Sequence, residues 1–317
     1  YPAIVDKVKV TLVTDSDEVN RRLAFARRVY DERNRRMEAM TDESVDIFYS
    51  CLLCQSFAPN HVCIITPERL GLCGAYNWLD GKAAYEIDET GPNQPVTKGE
   101  CIDPVKGIWK GINDFVHVNS HKMIESFTAY SIMDRPMTSC GCFEVICAYV
   151  PECNGVIAVN REFPGETPVG MTFSTLAGSV GGGVQTPGFI GCGKVYLTSK
   201  KFISAEGGHK RLVWMPKDLK LQLAADLQKR FDEQGASDLM DKIADETIAS
   251  MAEEVRAFME EVKHPALAME DMGLYAQSIS EPEKEKNSPA AGAQAAAGKK
   301  DDAAPSSVLS PAAAARR

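Results

Sequence analysis

Apolar and polar positions alternate over residues 7–13, with Val8, Val10 and Leu12 on one face, and this period of two predicts a short strand. The period then lengthens. Val19, Leu23, Ala26 and Tyr30 recur at helical spacing, so a helix is expected from Asp15 to about Met40, with Asp15 and Glu18 placed as a capping pair. Val45, Ile47 and Tyr49 alternate again and predict a strand that runs into Cys51. Residues 106–121 read as a helix with an irregular end, and residues 123–130 as a strand or extended segment. Residues 143–150 and 155–160 are apolar enough for two buried strands, the first closed by Pro151. Residues 195–197 and 212–214 predict two more strands. Pro216 opens a helix with Leu219, Leu223, Leu227 and Phe231 on one stripe, stopped by Gly235. Ser237 is expected to cap a further helix through Met240, Ile243, Ile248, Met251, Val255, Phe258 and Val262, ending before His264-Pro265. The pattern predicts a mixed α/β (α+β) fold, a mixed sheet with flanking helices. From about Glu281 the chain turns to Ala, Pro, Ser, Gly and Lys without aromatics, which predicts a disordered C-terminal tail.

Two cysteine groups interrupt this pattern. Cys51, Cys54, Cys63 and Cys73 are spaced C-x2-C-x8-C-x9-C, and four thiolates so close in sequence can close a tetrahedral sulfur site. Structural zinc is one reading. Iron–sulfur is favoured by the apolar and aromatic residues between the ligands (Phe57, Ile64, Ile65, Leu70, Leu72, Tyr76 and Trp78) and by the lack of a second C-x2-C knuckle. A disulfide framework is disfavoured by the crowding and by the absence of a secretory signal. The second group is Cys140-Gly141-Cys142. Two thiolates at i and i+2, with the amide nitrogens of Gly141 and Cys142 between them, form a planar N2S2 set suited to Ni(II) or Cu(II). Glycine removes the Cβ that would hinder the turn. An isolated C-G-C reads as two buried cysteines at a turn. Beside a four-cysteine site that reading weakens, because metal-bound thiolates can bridge to a second metal.

The strings Cys54-Gln55-Ser56-Phe57-Ala58-Pro59 and Met137-Thr138-Ser139-Cys140-Gly141-Cys142-Phe143-Glu144, taken with Cys51, Cys63 and Cys73, resemble the A-cluster region of the acetyl-CoA synthase family. Archaeal members of that family belong to the acetyl-CoA decarbonylase/synthase complex. The resemblance covers roughly residues 1–270 and not the tail. It implies that Cys51, Cys54, Cys63 and Cys73 hold a 4Fe-4S cluster, and that Cys54 also bridges to a proximal nickel. Cys140 and Cys142 would bridge that nickel to a distal one, completed by the amide nitrogens of Gly141 and Cys142. Phe57 would sit by the open position of the proximal nickel. The implied activity is formation or cleavage of acetyl-CoA from a methyl group, CO and coenzyme A. The implied partners are a corrinoid iron–sulfur protein as methyl donor and a carbon monoxide dehydrogenase subunit.

Charge and composition narrow the alternatives. With 35 Lys+Arg against 44 Asp+Glu the net charge is −9, which argues against nucleic acid as a partner. No apolar run is long enough for a transmembrane helix. The opening Tyr1-Pro2-Ala3 has neither an initiator Met nor a signal sequence, so an internal piece of a longer cytoplasmic subunit is expected. The expected division is residues 1–40 as the end of an upstream domain and a linking arginine-rich helix, 41–270 as the metal domain, and 271–317 as the tail. Arg21, Arg22, Arg27, Arg28, Arg33, Arg35 and Arg36 offer either a docking face or, preferred, a solvated face or inter-domain seam. Cys101, Cys147, Cys153 and Cys192 read as buried small side chains. His117 and His121 would share a face of a helix, and surface or core histidines are preferred over metal ligands. The glycines from Gly178 to Gly193 match no phosphate loop, and close packing beneath the cluster is preferred over a coenzyme A cradle. An electron-transfer module carrying only the iron–sulfur cluster, or a zinc-stabilised interaction domain, are the competing functions.

Overall fold

The structure is a computed structural model and describes residues 10–204, 208–272 and 274. Helix α1, Ser16–Arg35, begins where Asp15 Oδ1 accepts the Glu18 amide at 2.9 Å. That bond satisfies one of the donors a helix start leaves open. No side chain of α1 is buried, and Leu23, Phe25, Val29 and Tyr30 are exposed. Its arginines pair within the helix, Arg21 and Arg22 with Glu18 and Arg35 with Glu32. Arg33 instead reaches Asp80 at 2.7 Å and the Ala75 carbonyl at 3.2 Å, tying the helix to the segment after Cys73.

Strand β1, Ile47–Cys51, pairs antiparallel with β2, Cys63–Ile65. Helix α2, Trp78–Ile87, follows the cysteine loops and is capped by Asn77 and Asp80, each side chain taking the other's amide. Strand β3, Pro95–Thr97, completes the three-stranded sheet on the far side of β1. Strands β4, Cys101–Asp103, and β5, Ile108–Trp109, form a small antiparallel pair ahead of helix α3, Lys110–Asn119.

The largest sheet has β6, Val145–Val150, paired antiparallel with β7, Gly155–Asn160, on one side and with β8, Phe189–Cys192, on the other. Strand β9, Leu212–Trp214, runs parallel to β7, so the sheet is mixed. The strand side chains alternate between two cores. Val145, Cys147 and Tyr149 face the core that holds the first sheet, and Ile146, Ala148 and Val150 face the second. Both faces are covered, which explains why β6 and β7 are apolar almost throughout. Short helices α4, Phe173–Ala177, and α5, Lys200–Ser204, lie between these strands in the chain.

Helix α6, Lys217–Glu233, buries Leu219, Leu223, Leu227 and Phe231, the stripe expected from the sequence. It ends in a reciprocal turn. Gly235, at φ +68, donates to Asp232, and Ala236 donates to Phe231 at 2.8 Å. Helix α7, Ala252–Glu261, closes the second core with Val255 and Met259. The fold is α+β, as its sequence predicts. No helix among the described residues is long and apolar enough to cross a membrane.

Five elements differ from expectation. Residues 10–13 form no strand, and Val10 and Leu12 stand in solvent without a partner sheet, while residues 7–9 lie outside the described residues. The helix at 106–121 is shorter because the backbone of Ile108–Trp109 is used by the β4–β5 pair. Residues 123–130 join no strand, since their amides are taken by loops: Phe127 by the Asn113 side chain, Thr128 by Arg135, Ala129 by Gly107 and Tyr130 by Lys106. Residues 195–197 lie in a 3-10 turn, Lys194–Thr198, that buries Tyr196 and Leu197 without pairing. Ser237 caps no helix, because Ala244 is drawn onto the sheet edge, donating to Val213 at 2.9 Å and accepting from Met215 at 3.1 Å. The helix that follows keeps only its second half. The expected disordered tail falls almost wholly on residues 275–317, outside the described residues.

Truncating the fully buried Phe231 to alanine should lower the unfolding free energy by about 3–5 kcal/mol in urea titrations. A loss below about 1 kcal/mol would mean that the α6 stripe is not core.

Candidate metal centre

The β1–β2 register sets the first pair of sulfurs. Cys51 and Cys63 are Cα partners across the antiparallel ladder. Cys54 follows on a short 3-10 turn, Leu53–Ser56, and Cys73 on the irregular loop before α2. From the other side, Cys140-Gly141-Cys142 precedes β6. Gly141 sits at φ +124, and a Cβ there would meet nothing within 4 Å. Its glycine is therefore required by backbone conformation, not by crowding. Cys51, Cys54, Cys63, Cys73, Cys140 and Cys142 all line one open cavity of ≈ 440 Å³, together with Cys192 and walls of Ile65, Leu72, Tyr76 and Phe143.

Within it the sulfurs of Cys54, Cys140 and Cys142 lie within 4.8 Å of one another, a grouping able to hold a metal ion. The Cys140 and Cys142 sulfurs are 2.8 Å apart. Backbone amides point at sulfur: Leu72 donates to Cys63 at 3.5 Å, Ala75 to Cys73 at 3.4 Å and Cys142 to Cys140 at 3.4 Å. Among the described residues, the amides of Gly141 and Cys142 take no partner outside this turn. The donor set fits the expected metals: one group of four thiols and one N2S2 turn open onto the same space.

Ionisation reflects the crowding. Burial raises the Cys51 thiol and pushes Cys63 up to about 12. Hydrogen bonds to Cys140, first from Cys54, lower it to about 4, and the same proximity raises Cys54. Burial and the neighbouring Cys140 push Cys142 up to about 11. One sulfur of the trio thus ionises readily and the others resist, as three thiols sharing one negative charge must.

Several neighbours have no sequence motif to betray them. His61 is buried on the cavity wall, its Nδ1 3.0 Å from Thr138 Oγ1, and burial lowers its pKa. Ser139 Oγ donates to the Gly191 carbonyl and accepts the Gly191 amide, both at 2.8 Å, riveting the Cys140 segment to β8. The glycine-rich stretch packs against the cavity. Gly183 donates to Ser139 at 2.8 Å, and a Cβ on Gly193 would stand 2.5 Å from the Cys73 carbonyl oxygen. Phe57 is not in the cavity wall and is 85% exposed. Cys147, Cys153 and Cys192 are buried, but Cys101 is exposed, because β4 lies at the surface. His117 caps the turn after α3 by bonding Ile124, and His121 lies beyond the helix end at φ +56, so the two share no helical face.

Residues 30–273 match the family described as the C-terminal part of the ACS/CODH beta subunit. A Moorella thermoacetica protein named carbon monoxide dehydrogenase/acetyl-CoA synthase subunit alpha is 57% identical over 85% of this chain and 37% of that protein. An acetyl-CoA decarbonylase/synthase complex subunit beta from Methanopyrus kandleri is 47% identical over 83% of this chain and 55% of its own length. A solved C-terminal domain of an acetyl-coenzyme A synthase alpha subunit is 53% identical, covering 42% of this chain and 99% of its own at a TM-score of 0.39. The chain therefore spans little more than half, or less, of the two curated relatives.

The raised Cys63 pKa sets a pH dependence. An unfolded thiol ionises near 8.5, and the folded, metal-free one at about 12. Between those values the folded chain keeps a proton that the unfolded chain has lost, so stability present below about pH 8.5 drains away as pH rises. Urea titrations of metal-free protein should give a lower unfolding free energy at pH 10 than at pH 7. Cys63→Ala should reduce that difference by about 2 kcal/mol. An unchanged difference would contradict the burial of this thiol.

Proposed function

Because the chain belongs to the family of the ACS/CODH beta subunit's C-terminal part, we propose that it forms or cleaves acetyl-CoA from a corrinoid-borne methyl group, CO and coenzyme A. In this reading Cys51, Cys54, Cys63 and Cys73 hold a 4Fe-4S cluster. Cys54, Cys140 and Cys142 hold a proximal nickel, and Cys140, Cys142 and the amide nitrogens of Gly141 and Cys142 hold a distal one. Residues 41–270 form the metal domain, and residues 1–40 link it to an upstream part of the longer protein. The reaction class is acyl transfer in the cytoplasm, with a corrinoid iron–sulfur protein and a carbon monoxide dehydrogenase subunit as partners. The observation that carries the reading is the convergence of six cysteines from separate segments on one cavity.

The metals would supply a soft, electron-rich centre with open positions, the character that binding of CO and methyl requires. The rest falls to the chain. The thiolate sulfurs would bring electron density to that centre, and their fixed positions would hold it in one place in the cavity. Leu72, Ile65 and Phe143 limit water at the cavity walls. Phe57, exposed beside the Cys54 turn, would cover the open position once a partner or bound group draws it inward. Ser139 and Gly183 hold the Cys140 backbone so that the two sulfurs keep their approach.

The three competing readings separate on two variants. After anaerobic loading, Cys140→Ser should keep the iron and its brown absorbance, lose most of its nickel, and reduce acetyl exchange between acetyl-CoA and CO to background. Cys54→Ser should lose both metals. Full exchange activity in Cys140→Ser would contradict the nickel-holding role of Cys140, a wild type that loads iron but shows no exchange would leave only the electron carrier, and a colourless zinc-bound wild type would leave only the interaction domain.

A further inference from the structure

Apart from the metal centre, a second cavity is walled by Arg69, Tyr130, Ile132, Met137, Tyr196 and Phe202, and no cysteine lines it. It has room for about one guest of the size of a water molecule or a halide ion. Its walls come from separate stretches of chain, each held in its own way. Arg69 is fixed by its bridge to Thr66, whose carbonyl and hydroxyl oxygens both accept the Arg69 amide and whose own amide donates to the Arg69 carbonyl at 3.0 Å. Tyr196 sits in the 3-10 turn after β8 and Phe202 on α5, with their ring centres 4.9 Å apart. Tyr130 is anchored by its hydroxyl, which donates to Asp42.

The polar wall is a guanidinium. Arg69 is 2% exposed. Among the described residues its side chain makes one hydrogen bond, from Nη2 to the Met137 sulfur at 3.2 Å, and its buried Nε finds no acceptor. A thioether accepts weakly. The Tyr196 ring, with its centre 5.7 Å from the guanidinium, offers only a π face. The acids of the adjoining network have other partners. Asp42 takes the Glu68 amide and the Tyr130 hydroxyl, while Glu43 and Glu68 each pair with Lys201 at 3.4 Å. Lys201 lies over the Tyr130 ring, 4.5 Å from its centre, and adds a second cation on that side. The other buried arginine, Arg211, differs, since it bonds the carbonyls of Asn154 and Glu270.

A guanidinium cannot shed its proton to relieve burial, as a lysine can. A charge taken out of water is costly until an anion or strong acceptors meet it. A water molecule would give Nε an acceptor and leave the charge unbalanced. An anion does both, and between apolar walls its attraction is screened far less than in water. We propose that this cavity is a binding site for one monovalent anion of halide size, held on Arg69. The walls set its preference. Ile132, Met137 and Phe202 bring no side-chain donors to replace a hydration shell, so weakly hydrated chloride and bromide should enter more readily than strongly hydrated fluoride. Sulfate is too large for the space. The bound ion ties the Arg69 loop to the Tyr196 turn and α5, and stabilises the folded chain by mass action. The site needs no metal and is independent of the reaction proposed above.

The test follows the melting temperature of the full chain in sodium fluoride, chloride, bromide and sulfate at equal ionic strength, for wild type and Arg69→Met, metal-free and after anaerobic loading with metals. Chloride or bromide at about tenfold excess over its dissociation constant should raise the wild-type melting temperature by about 2–4 °C relative to fluoride, with or without metals. That order opposes the general action of salts, in which sulfate strengthens burial. In R69M the halide response should vanish. Wild-type crystals soaked in sodium bromide should show an anomalous-scattering peak against Arg69 Nε, a result that requires no variant to fold. A response that follows the general salt order, persists in R69M, or arises only in the loaded protein, where the halide would sit on metal, would overturn the proposal. So would a bromide-soaked crystal with a water peak and no anomalous signal at Nε.

Discussion

Six thiols opening on one cavity cannot all ionise in a metal-free chain, because like charges at such separations repel strongly in a medium less polar than water. The protein resolves this by keeping Cys63 and Cys142 protonated and concentrating negative charge on Cys140. A metal changes the balance, because its positive charge lets every thiolate exist at once, and the protons leave as it binds. The cavity is therefore less a finished pocket than a folded arrangement whose electrostatics call for cations.

The scaffold meets that demand by joining two sheets at the cavity. One contributes Cys51 and Cys63 through a ladder register, and the other fixes the Cys140 turn at the head of β6. The join is made by backbone contacts that tolerate no side chain. Gly193 donates to Leu72 at 2.5 Å and faces the Cys73 carbonyl, while Gly191 lies so near Phe143 that a Cβ would stand 2.4 Å from its ring. Such contacts fix the segments that carry the sulfurs while leaving the Gly141 and Cys142 amides without partners outside their turn among the described residues. Ser139 serves the same end with one oxygen, closing both backbone groups of Gly191.

Much of this is legible in the sequence, and for local reasons. The alternation into Cys51, the continuous apolar runs of β6 and β7 and the stripe of α6 are short-range patterns with a single economical interpretation, and the cysteine spacing marks a sulfur site while leaving its metal open. What is hidden depends on tertiary partners. The three residues Val195, Tyr196 and Leu197 are as apolar as a strand, yet their turn is set by Gly193 and by the core beneath it. The lost first half of the last helix is explained only by the edge of β9, which captures Ala244. Cys101 is apolar like a core residue but is exposed on the short β4–β5 pair, opposite a Trp109 that is buried. Of the site, the six sulfurs can be read from spacing. His61 and Ser139 cannot, because their roles follow from partners 52 to 77 residues away.

An iron–sulfur cluster and a nickel pair sharing one cavity would show in the metal content per chain, measured on protein purified without oxygen and supplied with iron, sulfide and nickel. The expected result is about four irons and about two nickels per chain, with a cubane-like brown colour. Zinc alone, or iron that never acquires nickel despite full supply, would contradict it.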